Sequence, residues 1–311
     1  PMTLGVVFPG QGSQRVGMLE EAAGAFSVVR ETFSEASDAL GYDMWALVSQ
    51  DPDARLSLTE FTQPAILTAS VALFRAFESC HSIAPVAAAG HSLGEYSALV
   101  SARALSLYDG VRLVRERGAA MQKAVPVGEG AMAVILGLAD DVVSTVCDAL
   151  CDATHYVGGV NFNAPGQVVI AGQTKAVENA MLALKEAGAR RAMPLPVSAP
   201  FHTPLMQPAA DIMTLAFDEV VWSEPDFPVV SNVDGSLQRD PTVIKQSLVK
   251  QISSPVMWTE CVATLGRVGC EMFIESGPGN VLSGLSKRID KSVPIKSIES
   301  VTSIEAGLSD L

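Results

Sequence analysis

The feature that most constrains this chain is Gly90-His91-Ser92-Leu93-Gly94, set between the apolar run Pro85-Val86-Ala87-Ala88-Ala89 and the helix-forming run Glu95-Tyr96-Ser97-Ala98-Leu99-Val100. G-x-S-x-G is the pattern of a strand that turns sharply into a helix and holds a serine, strained and exposed, at the bend. Glycine is needed on both sides because a Cβ at either position would strike neighbouring backbone in so tight a turn. The serine hydroxyl then stands at a helix N-terminus, where N–H groups without helical partners favour developing negative charge. Five residues also fit a plain strand-to-helix turn. The flanking strand and helix favour the reactive reading, and they place the chain in the α/β class.

With 311 residues, 48% of them hydrophobic and 18% charged, the chain has an ordinary globular balance and room for one large domain or two smaller ones. A net charge of -13 argues against a nucleic-acid binder, which needs a basic footprint. It leaves room for an acidic partner met by local basic clusters. Thr3 to Phe8 reads directly into a strand, so no signal peptide is expected, and Pro1-Met2 reads as an extraneous start. The longest apolar segment, residues 65–77, carries Thr68, Ser70 and Arg75; it is too short and too polar to span a bilayer and reads as a buried helix. The five cysteines lack CxxC spacing and the four histidines lack ligand spacing. The expectation is a reduced, cytoplasmic, metal-free protein that stays off membranes.

Residues 4–8 form a short apolar strand that runs into Pro9-Gly10-Gln11-Gly12-Ser13-Gln14. The glycines imitate a dinucleotide loop, but the third glycine of G-x-G-x-x-G falls at Arg15 and the match fails. What remains is a tight turn with Gln11 at the carboxyl end of a strand, either a solvated surface turn or one that faces a ligand. Residues 18–49 read as two helices, with Phe26, Val29, Phe33, Ala36 and Leu40 at helical spacing. Thr62-Gln63-Pro64 opens the buried helix, and the helix after Ser92 is expected to reach about residue 107.

Residues 131–136 (strand), 140–150 (a helix capped by Asp140 or Asp141), 156–162 and 168–171 (strands joined at Ala164-Pro165-Gly166), 174–187 (a helix stopped by Gly188) and 192–197 (strand) follow. The order β-α-β-β-α-β is the ferredoxin-like signature. Strand–helix alternation resumes afterwards with helices at 211–219, 243–251, 260–267 and 281–289 and strands at 229–232 and 272–275. Residues 128–197 therefore read as an insert in a main unit made of 1–127 and 198–311.

Two residues stand out by context. On the helix at 109–123, Asp109, Arg112, Arg115 and Glu116 form a solvated face, whereas the neighbours of Arg117 at three and four residues are Leu113, Val114, Ala120 and Met121. A guanidinium on an apolar face is costly unless something negative meets it. It is either a structural ion pair or snorkelling side chain, or a two-pronged clamp for a ligand carboxylate. The second is His202, in Pro200-Phe201-His202-Thr203-Pro204. A lone histidine is usually a satisfied polar residue, but prolines restrict this loop and hold the imidazole at the junction of insert and main unit.

Taken together, Phe8-Pro9-Gly10-Gln11-Gly12-Ser13-Gln14, Gly90-His91-Ser92-Leu93-Gly94-Glu95-Tyr96, Arg115-Glu116-Arg117-Gly118, Asn161-Phe162-Asn163-Ala164-Pro165-Gly166-Gln167, Pro200-Phe201-His202, Lys250-Gln251-Ile252-Ser253-Ser254-Pro255-Val256 and Glu275-Ser276-Gly277-Pro278-Gly279 stand in order along the chain. With these motifs the chain closely resembles the malonyl-CoA:acyl carrier protein transacylases of bacterial fatty-acid synthesis, from residue 4 to about 290. The resemblance implies an α/β-hydrolase-like large subdomain with an inserted ferredoxin-like small subdomain and a cleft between them. It implies Ser92 as nucleophile, His202 as general base and acid, and the backbone N–H groups of Gln11 and Leu93 as an oxyanion hole. Arg117 would grip the malonyl carboxylate, with Gln63, Asn163 and Phe201 as further substrate-binding residues. The main-chain carbonyl of Gln251 would orient the histidine, making a Ser-His dyad.

The implied partners are malonyl-CoA and phosphopantetheinylated acyl carrier protein, with no permanent cofactor, no metal, and a monomer expected. Because carrier proteins are acidic, Lys287, Arg288, Lys291, Arg190 and Arg191 are the candidate docking residues. The competing readings are a serine thioesterase or esterase on the same elbow, and a non-catalytic domain that binds carrier protein.

Overall fold

The computed structural model describes residues 3–309. Pro1 and Met2, read as an extraneous start, and the outermost ends of the expected main unit lie outside the described residues. The strands are β1 (Leu4–Phe8), β2 (Ala87–Gly90), β3 (Gly130–Leu136), β4 (Val157–Ala164), β5 (Gln167–Gln173), β6 (Arg191–Pro194), β7 (Val229–Val230), β8 (Leu237–Gln238), β9 (Met272–Glu275) and β10 (Ile295–Ser297).

They form two sheets. The larger runs β10-β9-β1-β2-β7-β8 and is parallel except for the β7–β8 pair. β1, β2 and β9 are buried at every position, as strands covered by helices on both faces should be, which explains their unbroken apolar runs. The smaller sheet is antiparallel in the order β4-β5-β3-β6, with helices Asp140–Ala149 and Thr174–Glu186 between its strands. That is the ferredoxin-like arrangement, so the α/β class and its two-part architecture stand as the sequence led us to expect.

The small sheet divides its side chains by the two-residue period of a strand. Ala133, Ile135, Val168 and Ile170 pack with Val143, Cys147, Val177 and Ala180 of the two covering helices. Met132, Val169 and Ala171 belong to the core of the large unit. The two parts are also joined through backbone: Val256 pairs with Asn161, donating to Val160 O (2.7 Å) and accepting from Phe162 N–H (3.0 Å).

Several helix boundaries differ from the sequence reading. Residues 18–49 hold three helices, Glu20–Ala25, Ser27–Leu40 and Met44–Ser49, rather than two. Phe26 is extended, Gly41 adopts φ 76°, and Asp43 caps the third helix by accepting from Ala46 N–H. The buried helix begins at Thr59 and runs to Cys80 with Pro64 inside it, not at its start. The helix after the elbow, Gly94–Ser101, stops six residues before the expected end, because Arg103 turns to φ 63° and Ser106 caps a new helix, Leu107–Lys123. Ala139, and neither Asp140 nor Asp141, is the N-cap of the next helix. β8, β10 and the helix Val301–Ala306 are too short to leave a periodic signal in sequence. Among the described residues no helix is long and apolar enough to cross a membrane.

Candidate active site

The loops at the carboxyl edge of β1 and β2, the helix Leu107–Lys123 and the loop after β6 converge on one cavity of about 140 Å³. The carboxyl edge of a parallel sheet is where α/β folds place ligands, because strand ends and helix N-termini point there together. Ser92 sits at φ 54° between β2 and its helix. A Cβ on Gly90 would stand 1.8 Å from Gly94 O, and one on Gly94 would stand 2.2 Å from Phe8 O, so neither position admits a larger residue.

The Ser92 hydroxyl lies 2.8 Å from Nε2 of His202. On the far side of the ring, Nδ1 lies 2.8 Å from the backbone carbonyl of Gln251. A carbonyl only accepts, so Nδ1 carries the proton and Nε2 is left to accept from the serine. Among the described residues no carboxylate takes part in this arrangement. His202 is 4% exposed; burial first, and the nearby Arg117 charge second, lower its pKa to about 3, so the ring is neutral near neutral pH.

Arg117 is fully buried. Its guanidinium donates to Gln63 Oε1 (2.8 Å), Gln251 Oε1 (2.9 Å) and Ser92 Oγ (3.2 Å), and lies 5.3 Å over the Tyr96 ring. Among the described residues it has no direct carboxylate partner, and its Nε finds no acceptor. This differs from both the internal ion pair and the snorkelling side chain that periodicity alone allowed. The cation is held by neutral oxygens beside the serine hydroxyl.

Gln11, Gln63, Ser92, Leu93, Arg117, Phe201 and His202 all line the cavity. Gln251 stands behind them, completely buried. Asn163 does not line the cavity. Its Oδ1 meets His91 Nε2 at 2.7 Å, and Asn161 takes the wall position instead, with a buried Oδ1 that lacks a partner. Gln11 also borders a second cavity, of about 360 Å³, whose polar lining includes Thr59, Gln122 and Ser198.

Sequence reasoning missed Asn232 and Glu95. Asn232 accepts from Ser92 N–H (2.7 Å) and donates to Gly90 O (2.7 Å), which fixes the elbow from beneath. Glu95 accepts from Asn232 N–H (3.0 Å) and from Gln251 Nε2 (3.2 Å). The only signals for them were their places, one at the end of a parallel strand and the other next to the elbow. Among the described residues no group of three or more His, Cys, Asp or Glu is placed to hold a metal ion.

Residues 6–310 match the model of the acyl transferase domain family. The malonyl CoA-acyl carrier protein transacylase of Escherichia coli K12 is 49% identical over 302 residues, covering 97% of each chain. The solved structure of that transacylase from Coxiella burnetii superposes with a TM-score of 0.97 at 44% identity, covering 100% of this chain and 98% of the other. A malonyl-transacylase solved in complex with its type II PKS acyl-carrier protein superposes with a TM-score of 0.96 at 47% identity, covering 99% and 100%.

Proposed function

The chain belongs to the acyl transferase domain family, and from that premise we propose the way in which it moves a malonyl group from malonyl-CoA to the phosphopantetheine thiol of acyl carrier protein. The observation that carries the reading is a fully buried guanidinium, in direct contact with no carboxylate among the described residues, 3.2 Å from a serine hydroxyl that is in turn 2.8 Å from a neutral imidazole.

Ser92 is the nucleophile. As its Oγ attacks the thioester carbonyl, His202 Nε2 takes the hydroxyl proton, and the imidazolium is steadied through Nδ1 by the Gln251 carbonyl. The C–S bond then breaks, CoA leaves with that proton as a thiol, and a malonyl-serine ester remains. The carrier thiol gives its proton to His202 and attacks the ester, releasing Ser92 with its proton restored. Both steps pass through a tetrahedral oxyanion facing the backbone N–H groups of Gln11 and Leu93; losing one donor of such a hole costs ~2.7–4 kcal/mol of barrier. Arg117 pairs with the free malonyl carboxylate, with Gln63 and Gln251 orienting it and Phe201 closing the wall. Asn163 supports that wall through His91, while Asn161 faces the substrate. The larger neighbouring cavity gives the thiol-bearing arm its approach.

We assign residues 1–127 and 198–311 to the catalytic part and 128–197 to the small part, in a monomer working in the cytoplasm. Five free thiols suit a reducing compartment, and no permanent cofactor is required by this chemistry. Lys287, Lys291, Arg190 and Arg191 are exposed and remain candidates for docking the carrier. Arg288 is already engaged, donating to Pro165 O at 2.9 Å and to Gln167 Oε1.

A hydrolase on the same elbow would share Ser92 and His202 but has no use for Arg117. Exposure to malonyl-CoA without acceptor, read by intact mass, should leave a stable malonyl adduct that Ser92→Ala abolishes. Steady release of malonate with no adduct would sink the transfer reading.

A further inference from the structure

Arg117 carries a full charge in the interior, and among the described residues it donates only to neutral oxygens and lies over the Tyr96 ring, an arrangement that needs an anion within reach. The structure supplies one, a single side chain away. Gln251 donates its amide N–H to Glu95 Oε1 (3.2 Å) and accepts from Arg117 Nη2 through Oε1 (2.9 Å), so one amide separates carboxylate from guanidinium. Glu95 is 2% exposed and is anchored by Asn232 N–H at 3.0 Å.

We propose that Glu95 is the resting counter-charge of Arg117, a positioning residue that tempers the grip on the substrate carboxylate through Gln251. The inference rests on the malonyl reading given above. While the site is empty Glu95 stabilises the buried cation. When the malonyl carboxylate arrives, two anions surround one guanidinium, and Glu95 takes up a proton from the buffer instead of repelling it.

Burial raises the Glu95 pKa to about 7, so this exchange lies within reach of neutral pH. The charged groups bearing on Glu95 are Arg117, which favours its charge, and Asp234, which opposes it, while Tyr96 and Cys261 beside it are raised by burial and stay neutral near neutral pH. The exchange keeps a single anion beside Arg117 whether the site is empty or loaded.

The test compares Ser92 loading from malonyl-CoA and acetyl-CoA in the full chain and in Glu95→Gln, which keeps an acceptor at the same place but removes the charge. At pH 8 the KM for malonyl-CoA should fall about threefold to tenfold in Glu95→Gln, with that for acetyl-CoA unchanged. At pH 6, where Glu95 is already protonated, the two proteins should converge. Equal changes for both acyl groups, or a difference that persists at pH 6, would overturn the proposal.

Should Glu95→Gln fail to fold, Ser92→Ala titrated with malonyl-CoA at pH 7.5 in buffers of differing ionisation enthalpy provides the second reading. Partial proton uptake should accompany malonyl-CoA and be missing with acetyl-CoA; equal uptake refutes the idea. His202, held at about 3, lies too far below neutral to supply it. Failure of the unsubstituted enzyme to load malonyl at all would instead reject the underlying function.

Discussion

The two sheets of this molecule solve different problems. Buried polar side chains crowd the large unit: Gln63, Glu95, Arg117, His202, Asn232, Gln251 and Glu275 all lie within a few per cent of complete burial. Between residues 128 and 197 the described residues contain one, Asn163. The parallel sheet gathers loop and helix ends on one edge, and a satisfied polar network can be built there. The antiparallel sheet is held by an apolar layer and contributes a wall: Met132, Asn161, Leu195 and Val197. Chemistry and enclosure are thus assigned to separate layers, and mutations should sort accordingly.

The sharpest separation is expected at His202. His202→Ala should slow Ser92 loading by ~10²–10⁴-fold with malonyl-CoA and acetyl-CoA alike, read by quenched-flow and intact mass. Arg117→Ala should lower the malonyl-to-acetyl ratio by ~10²–10³-fold, the equivalent of losing one partner of a buried pair. Equal losses for the two acyl groups would make Arg117 a structural cation.

Stability should report the same network. The unfolded histidine has a pKa near 6.5 and the folded one about 3, so as pH falls below 6.5 the unfolded chain binds a proton that the native state refuses. That one group removes ~1.4 kcal/mol of stability per pH unit on the way down. Glu95, raised from 4.5 to about 7, acts in the opposite sense, costing stability as pH rises through that interval. The two offset each other between about 4.5 and 6.5, and His202→Gln should tilt that balance, leaving a protein whose melting temperature falls as pH rises there. A flat profile in the variant would mean that Glu95 is not raised in the folded chain.

On the wall, Asn161→Ala should lower kcat/KM by no more than about tenfold, the worth of one hydrogen bond. A loss as large as that of Arg117→Ala would erase the contrast between the layers. The smallest effect is expected furthest out: Lys287→Glu should raise the KM for carrier protein about twofold to threefold, without changing that for malonyl-CoA, and salt should mask it. Lys287 is the cleaner probe, since reversing Arg288 would also break its link to the β4–β5 turn.

Much of this was legible in the chain because it is local. The elbow is five consecutive residues with a strand before and a helix after; Gly90 is dictated by a contact within the turn, whereas Gly94 makes room for the end of β1. The insert showed itself through element order. Arg117 announced itself as a misfit on an apolar face, yet its meaning depended on Gln63 and Gln251, which lie 54 and 134 residues away. The links from Asn232 to Ser92 and from Gln251 to Glu95 span 140 and 156 residues, and no periodicity foretells such meetings. Asn163 was expected in the cleft and Asn161 stands there instead, for a different reason. On a regular strand they would share a face, but β4 shifts register between Phe162 and Ala164, so only one reaches the cavity.

Ser92 and His202 share one further property: each has a left-handed backbone, φ 54° and 62°, where a side chain is disfavoured and glycine is at ease. A laboratory selection that rewarded heat tolerance alone would therefore be drawn to glycine at position 92, whereas at 202 the cavity left by the buried imidazole would outweigh the relief. It would yield a hardier protein with no turnover, and any thermostable descendant meant for use must be screened for acyl transfer at every round.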